Sequence, residues 1–391
     1  MLKQIEGSYA VADVVAMCRP NVISAYPITP QTHIVEGLAL IVDEGRLDAE
    51  FVNVESEFSA ASVVLGASAA GARAYTATTS QGLLLMSEVI YCIAGMRLPI
   101  VLTCANRAIS APLSIWNDQQ DSMALRDAGW IQLHAEDNQE AADLHIQAFK
   151  IAEQTSLPVM VCMDGFILTH AFEPVDLPDP KEVDAFLPPF KPTNIVDPRW
   201  PRGIGLFADP RFYMETRYIL HRAMEKSETT IKKVSSDFAK KFGRDSGGFL
   251  KTYNLKGADL VIVSMGSVVG TIKDLIDQLK EEGKNVGLLQ ICSYRPFPRK
   301  EIYNALKNKM NIVVLEKSIS LGRGGILASD VRWSFPRAEK KDRNISSFIA
   351  GLGGRNITQD DLRYMVEKVE KEPVELEFLG LNKDLIAKKD I

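Results

Sequence analysis

The chain has 391 residues, a net charge of −5, 46% apolar and 24% charged residues, which at roughly 150 residues per domain predicts two or three domains with sizeable cores. The acidic balance gives no electrostatic case for nucleic acid or an anionic membrane surface, and no apolar run approaches the roughly 20 residues that span a bilayer. The opening M-L-K-Q-I-E-G-S-Y lacks a secretory pattern and the five cysteines form no C-x-x-C, so we expect a cytoplasmic protein that holds no disulfide framework, thiolate zinc site or iron–sulfur cluster by itself.

Apolar strand-like runs at 21–26, 51–54, 72–77, 99–105, 130–134 and 158–163 alternate with helix-length stretches at 31–44, 56–70, 81–94 and 138–154. That alternation predicts a largely parallel sheet with helices on both faces. Four loops concentrate polar groups, and each follows a predicted strand. The first is S-A-Y-P-I-T-P-Q-T at 24–32, where Pro27 and Pro30 fix the backbone and remove amide donors. A stiff loop at the carboxyl end of a strand is where open α/β sheets place ligands; a proline-braced turn accounts for the same residues. Thr29 and Thr32 offer hydroxyls, Thr32 as a helix N-cap. The second loop is V-E-S-E at 54–57, leading into an Ala, Ser and Gly-rich helix able to approach a neighbour closely. Glu57 sits in its first turn, where the helix dipole favours a carboxylate, an ordinary place for a Glu. The third is T-T-S-Q-G at 78–82, hydroxyls and amides facing a helix start. The fourth is C-A-N-R-A-I-S at 104–110, followed by W-N-D-Q-Q-D at 116–121. Arg107 lies between an apolar strand and small residues. It suits either a two-pronged grip on a carboxylate or a structural ion pair. Asp137 is predicted to cap the helix beginning at Asn138.

Eight prolines between Pro174 and Pro201 argue against helix or central strand and for an extended arm over the surface or a neighbouring subunit. Its Phe172, Phe186, Phe190 and Trp200 indicate that the arm is packed. Apolar spacing from 211 to 242 suits a long amphipathic helix. A second α/β unit follows, with strands at 260–265, 286–291 and 311–315 and a helix at 271–281. G-S-V-V-G at 266–270 is not a dinucleotide fingerprint, and G-R-G-G at 322–325 reads as a tight helix-start turn. The residues from Leu385 read as a charged tail.

The motifs Y-P-I-T-P-Q-T, V-E-S-E, T-T-S-Q-G-L-L-L-M, A-N-R-A-I-S, I-W-N-D-Q-Q-D-S and M-D-G-F-I-L-T-H occur in one order between Tyr26 and His170, and G-L-G-G-R-N-I-T follows near the C-terminus. Together they resemble the α subunits of the 2-oxoacid:ferredoxin oxidoreductases, the pyruvate type most of all. The resemblance implies a thiamine-diphosphate pyrimidine-binding α/β domain core over 1–172, a Pro-rich arm and long helix over 173–256, and a domain like the transketolase C-terminal domain over 257–391. It implies oxidative decarboxylation of a 2-oxoacid to an acyl-coenzyme A and CO2, with electrons passed to ferredoxin. Glu57 matches the glutamate that hydrogen-bonds the aminopyrimidine ring and drives its imino tautomer, with Glu55 as its rival. Tyr26, Pro27, Ile28, Thr79, Ser80 and Gln81 match the cofactor side, and Thr29 and Arg107 the substrate carboxylate and carbonyl. Partner subunits (β, γ and δ or equivalents) are implied to carry the diphosphate module with its Mg2+, the [4Fe-4S] clusters and part of the coenzyme A site. No metal site is expected in this chain. The same chemistry on 2-oxoisovalerate or 2-oxoglutarate, a non-catalytic scaffold, and a nucleotide-binding protein are the competing readings.

Overall fold

The computed structural model describes residues 2–193, 195–201, 203–336 and 343–388; the expected charged tail therefore lies outside the described residues from 389 onward. The chain divides into two compact units, Met1–Phe249 with Cys292–Pro298, and Leu250–Ile291 with Arg299–Ile391.

The first unit runs β1 (Leu2–Glu6), α1 (Gly7–Met17), β2 (Val22–Ala25), α2 (Thr32–Asp43), β3 (Glu50–Asn53), α3 (Glu57–Ala69), β4 (Ala74–Thr78), α4 (Ser80–Leu85), α5 (Ser87–Gly95), β5 (Val101–Asn106), α6 (Gln120–Ala124), β6 (Ile131–His134), α7 (Asn138–Thr155), β7 (Val159–Asp164), β8 (Phe172–Asp176), α8 (Pro180–Phe186) and α9 (Tyr213–Phe242). The second unit holds β9 (Leu250–Tyr253), β10 (Leu260–Ser264), α10 (Val268–Glu281) and β11 (Val286–Ile291). After β12 (Ser293–Arg295), which belongs to the first unit, it continues with α11 (Arg299–Leu306), β13 (Asn311–Glu316), α12 (Ile326–Ser334), β14 (Asn344–Ile349), α13 (Gln359–Lys371) and β15 (Glu377–Phe378).

The seven-stranded sheet of the first unit has the order β12-β6-β7-β5-β4-β2-β3 and is parallel except for β12, which pairs antiparallel with β6. Its strands β4, β5 and β7 are buried along their whole length, as a sheet covered on both faces requires. Helices α3, α4 and α5 pack on it through Ala60, Ala61, Val64, Leu83, Ile90 and Ile93 against Leu102, Trp130 and Met160. Chain order and sheet order diverge at β2: β3 adds on one side of it and β4 on the other. The loops after β2 and β4 therefore flank a topological switch point, where the divergence of the two connections opens a crevice beyond the strand ends.

The Pro-rich segment is more structured than its composition suggests. β8 pairs with β1 as a separate two-stranded ribbon with Pro174 opposite Gln4, and α8 starts at Pro180, capped by Asp179. Proline fits both places because neither needs its missing amide. α9 buries Ile231, Val234 and Phe238, and Arg244 beyond it pairs with the buried Asp143 of α7 at 2.8 Å. Its N-terminal part leaves Tyr218 and Ile219 exposed.

The second unit's sheet, β15-β14-β13-β10-β11-β9, is parallel except for β9. Its G-R-G-G stretch forms a turn in which Gly322 and Gly324 take positive φ (77° and 104°) before α12. The carboxylate of Glu316 accepts the amides of Ile326, Leu327 and Ala328 at 2.8–3.0 Å, so a buried acid from β13 caps the helix.

Candidate functional site

The four loops meet at the carboxyl ends of β2, β3, β4 and β5. After β2, Tyr26, Pro27 and Thr29 are exposed, Ile28 is half-buried and Pro30 is buried. Gln31, fully buried, braces the loop from beneath: its amide donates to Tyr26 O at 3.2 Å and to Ala77 O of β4 at 2.7 Å, stitching across the switch point. Gln31 takes helical backbone angles and makes no side-chain capping bond, so α2 starts at Thr32 itself, without the threonine cap its sequence suggests.

After β3, Ser56 caps α3 by accepting from Ser59 N, which turns Glu57 into the first helical position. Glu57 is 7% exposed. Its carboxylate lies against Gly82 of α4: a Cβ there would come within 2.6 Å of Glu57 Oε1 and 2.4 Å of Thr78 Oγ1. Glu55 is exposed and accepts from Ser59 Oγ, a bond that holds its carboxyl below the usual range. The two acids are thus separated by environment, one facing water and one enclosed.

After β4, Thr79 and Ser80 turn their hydroxyls inward. Thr79 Oγ1 donates to Ala105 O at 2.5 Å, and Ser80 Oγ donates to Ala108 O. The buried polar atoms of this loop left without a protein partner are Thr78 Oγ1 and Gln81 Nε2. Buried polar groups of this kind ordinarily find partners, and the glycine beside them lets α4 close directly onto Thr78 and Glu57. Two orphaned polar atoms beside a buried carboxylate fit the edge of a flat, hydrogen-bonding heteroaromatic ring such as the pyrimidine of thiamine diphosphate.

After β5, Arg107 is 6% exposed, and its guanidinium is held by two backbone carbonyls. Nε donates to Ser114 O at 2.9 Å and Nη1 to Thr29 O at 2.8 Å. The first loop and the fourth are therefore joined directly at Thr29 and Arg107, and among the described residues Nη2 makes no hydrogen bond. Burial pulls the Arg107 pKa down while Asp121 holds it up, and the group stays charged. Sequence reasoning passed over Asp121 as one of several polar residues in W-N-D-Q-Q-D. It is fully buried and accepts from Ser80 N, Arg107 N, Ser122 N and Asn106 Nδ2 at 2.7–3.0 Å. Burial pushes its pKa up against those donors. The M-D-G-F-I-L-T-H motif reaches the same place through Gly165, where a Cβ would lie 2.5 Å from Pro30 Cγ and 2.6 Å from Asn106 O. Beyond it an aromatic row runs Trp116, Phe166, His170, His33 with ring centroids 4.7–4.8 Å apart.

Two cavities of about 570 and 530 Å³ lie elsewhere in this unit, lined by residues such as Arg97, Tyr218 and Arg222, and Arg19, Arg73 and Phe190. Neither includes a residue of the four loops. Among the described residues no group of three or more His, Cys, Asp or Glu could hold a metal ion, and no helix is long and apolar enough to cross a membrane.

Residues 13–236 match the family model described as pyruvate flavodoxin/ferredoxin oxidoreductase, thiamine-diphosphate-binding, and residues 258–362 match pyruvate:ferredoxin oxidoreductase core domain II. The chain is 50% identical over 375 residues to the pyruvate synthase subunit PorA of Methanocaldococcus jannaschii, covering 95% of each chain. It is 46% identical over 386 residues to that of Methanothermobacter thermautotrophicus, covering 98% of this chain and 99% of the relative. It is 41% identical over 370 residues to the ketoisovalerate oxidoreductase subunit VorA of Pyrococcus abyssi, covering 94% and 93%. Among solved structures, a 2-oxoglutarate:ferredoxin oxidoreductase from Magnetococcus marinus superposes with TM-score 0.75 at 20% identity, over 94% of this chain and 65% of that one. The inactive β4 tetramer of a split-gene transketolase superposes with TM-score 0.57 at 14% identity, over 95% and 100%. Both likenesses are of fold: parallel α/β units of the transketolase kind. Matched over more than half its length by the first family model and nearly end to end by relatives of 41–50% identity, the chain belongs to the pyruvate flavodoxin/ferredoxin oxidoreductase family.

Proposed function

We infer that this chain is the α subunit of a pyruvate:ferredoxin oxidoreductase (pyruvate synthase), working in the cytoplasm on pyruvate, coenzyme A and ferredoxin to give acetyl-coenzyme A and CO2, reversibly. The observation that carries the reading is the convergence at one switch point of an enclosed acid, Glu57, with an arginine tied to Thr29. Thiamine diphosphate, when bound, supplies the electron sink for decarboxylation. Tyr26, Pro27 and Ile28 present the braced loop backbone beside it, while Thr79 and Ser80 fix the path of the third loop. Gln81 Nε2 and Thr78 Oγ1 provide further hydrogen-bonding atoms. The Glu57 carboxylate would accept a hydrogen bond from the ring of the bound cofactor and exchange that proton with it. Arg107 grips the 2-oxoacid carboxylate through the edge of its guanidinium that carries Nη2. The Thr29 hydroxyl donates to the substrate's carbonyl oxygen, where negative charge develops.

On this reading the remaining parts lie in partner chains: the diphosphate-binding module with Mg2+ in a β subunit, the [4Fe-4S] clusters and the rest of the coenzyme A site in γ and δ subunits or equivalents. The open, half-exposed first loop supports a site completed by another chain. A second substrate, 2-oxoisovalerate, has support in the 41% identity to a ketoisovalerate oxidoreductase subunit. The test is pyruvate- and coenzyme A-dependent reduction of ferredoxin or a viologen dye by the co-expressed complex, with 2-oxoisovalerate and 2-oxoglutarate as rivals, in wild type and Glu57→Gln. We expect pyruvate to be preferred and the variant to lose about 10²–10⁴-fold in rate with unchanged cluster content. Full activity of the variant would remove Glu57 from the mechanism, and a different preferred acid would change the substrate while keeping the roles.

A further inference from the structure

Ser80 ends the third loop at the start of α4 and Arg107 lies in the fourth, with α5 and β5 between them in sequence. Thr79 Oγ1 and Ser80 Oγ reach across to Ala105 O and Ala108 O, and Asp121 adds the side chain that bonds the backbone of both Ser80 and Arg107. Asp121 Oδ2 accepts from Ser80 N at 2.9 Å and from Arg107 N at 3.0 Å, while Oδ1 accepts from Asn106 Nδ2 at 2.7 Å and Ser122 N at 2.8 Å. Cys104 Sγ adds a weak contact to Oδ2 at 3.5 Å. Among the described residues no lysine or arginine side chain bonds this fully buried carboxylate; its strong donors are three backbone amides and one carboxamide. Ser80 needs such a hold because its backbone sits in the left-handed region, φ 46°, which serine adopts only under constraint.

We propose that Asp121 is the positioning residue of the substrate site, fixing the third and fourth loops to one another so that the Arg107 guanidinium meets the 2-oxoacid carboxylate at a set place. The assignment of Arg107 to the substrate rests on the function proposed above; the tie between the loops does not. Asp121 bonds neither the Arg107 guanidinium nor Thr29, so it acts through the backbone of Arg107, whose side chain in turn bonds Thr29 O. Replacing it with the isosteric asparagine puts an NH2 against Ser122 N in one orientation, or against both Ser80 N and Arg107 N in the other. Either way a buried amide loses its acceptor. Charge alone would act in the opposite direction: removing a negative group beside Arg107 strengthens attraction for an anionic substrate.

The experiment uses the co-expressed complex carrying Asp121→Asn, with Asn106→Ala as a milder variant that removes one donor and leaves the carboxylate. We expect KM for pyruvate to rise about tenfold or more in Asp121→Asn and about threefold in Asn106→Ala, with kcat changing less than KM in both. Hydrogen exchange read by mass spectrometry should show the amides of Ser80 and Arg107 losing protection while those of β5 keep theirs. That arm reads the loop tie whether or not the complex uses any 2-oxoacid, so it separates failure of this inference from failure of the functional reading. Unchanged protection at Ser80 and Arg107 overturns the proposal. So does an unchanged KM in an active complex, and so does a KM that falls, which would assign Asp121 an electrostatic role instead. If Asp121→Asn fails to assemble, the graded effect in Asn106→Ala decides.

Discussion

Gly82 is the position where a single methyl group tests the geometry most sharply. A Cβ built there lies 2.4 Å from Thr78 Oγ1, 2.6 Å from Glu57 Oε1 and 2.8 Å from Glu57 Cγ. Heavy atoms in favourable contact sit at about 3.5 Å, so Gly82→Ala requires the Glu57 carboxylate or α4 to recede by roughly 1 Å. The stability consequence is muted. Overpacking costs about 1–3 kcal/mol, but alanine in place of a helical glycine returns about 1 kcal/mol, leaving a net loss of about 0–2 kcal/mol. Function is the more sensitive readout, because a misplacement of about 1 Å in a reacting group reaches 10²-fold in rate. We therefore expect Gly82→Ala in the assembled complex to stay folded, to lose about 10²-fold in kcat, and to need more thiamine diphosphate for half-saturation. Gly270→Ala in α10 is the control: nothing lies within 4 Å of its Cβ, and the site is exposed. That substitution should add about 0.5–1 kcal/mol to the second unit and leave activity alone. Wild-type rate and cofactor affinity in Gly82→Ala would refute the placement of the acid.

Arg107→Lys keeps the charge and removes the planar fork. Loss of a charge-assisted hydrogen bond worth about 1.5–3 kcal/mol predicts a KM for pyruvate raised roughly 10- to 100-fold with a smaller fall in kcat, read by steady-state kinetics, and an unchanged KM would point to a purely structural arginine. A pH prediction comes from the buried chain Tyr75, Thr103, His145, in which Thr103 Oγ1 lies 2.6 Å from both Tyr75 Oη and His145 Nε2, and His145 Nδ1 donates to Ala141 O at 2.6 Å. Burial lowers the His145 pKa from 6.5 to about 4. The unfolded chain then takes up a proton that the folded chain refuses. The resulting stability is present above pH 6.5 and lost as pH falls toward 4, about 3 kcal/mol in all. Thermal unfolding of wild type against His145→Gln should show a shallower acid limb in the variant; the same limb in both would remove His145 as its cause.

The alternation of strands and helices in the first 170 residues was legible because helical and strand periodicities are local properties of the chain. The switch point was not, because it depends on which side of β2 the fourth strand adds, a choice made by packing among residues far apart in sequence. The same division runs through the site. Pro27, Pro30, Glu57 and Arg107 stand out by residue type in their loops. Gln31, Gly82 and Asp121 do not, since their importance lies in partners up to 46 residues away. Asp118, Gln119 and Asp121 are equivalent on paper and all three are buried, but the carboxylate that accepts from Ser80 N and Arg107 N is that of Asp121. The β1–β8 ribbon escaped for a related reason: L-K-Q-I-E is short and half polar, and its partner lies across the whole first sheet in sequence. Proline content misjudged α8, where Pro180 occupies the one turn of a helix that needs no amide.

On the proposed reading, in which another chain completes the site, the hidden residues also explain how this chain's half can be rigid by itself. Thr29 and Tyr26 face outward, so no overlying protein group fixes them from above. Their restraint comes from below: Gln31 anchors the first loop to β4, Asp121 anchors the third loop to the fourth, and the Arg107 guanidinium closes the circuit by bonding Thr29 O. Each bond is made by a buried side chain to backbone, so the exposed side chains stay free for cofactor, substrate and partner. A site organised in this way loses little conformational entropy when its other half arrives, and its dipoles are already aimed when charge develops. Loosening any one brace should therefore impair binding and rate together, even though none of the three braces presents an atom to the substrate except Arg107.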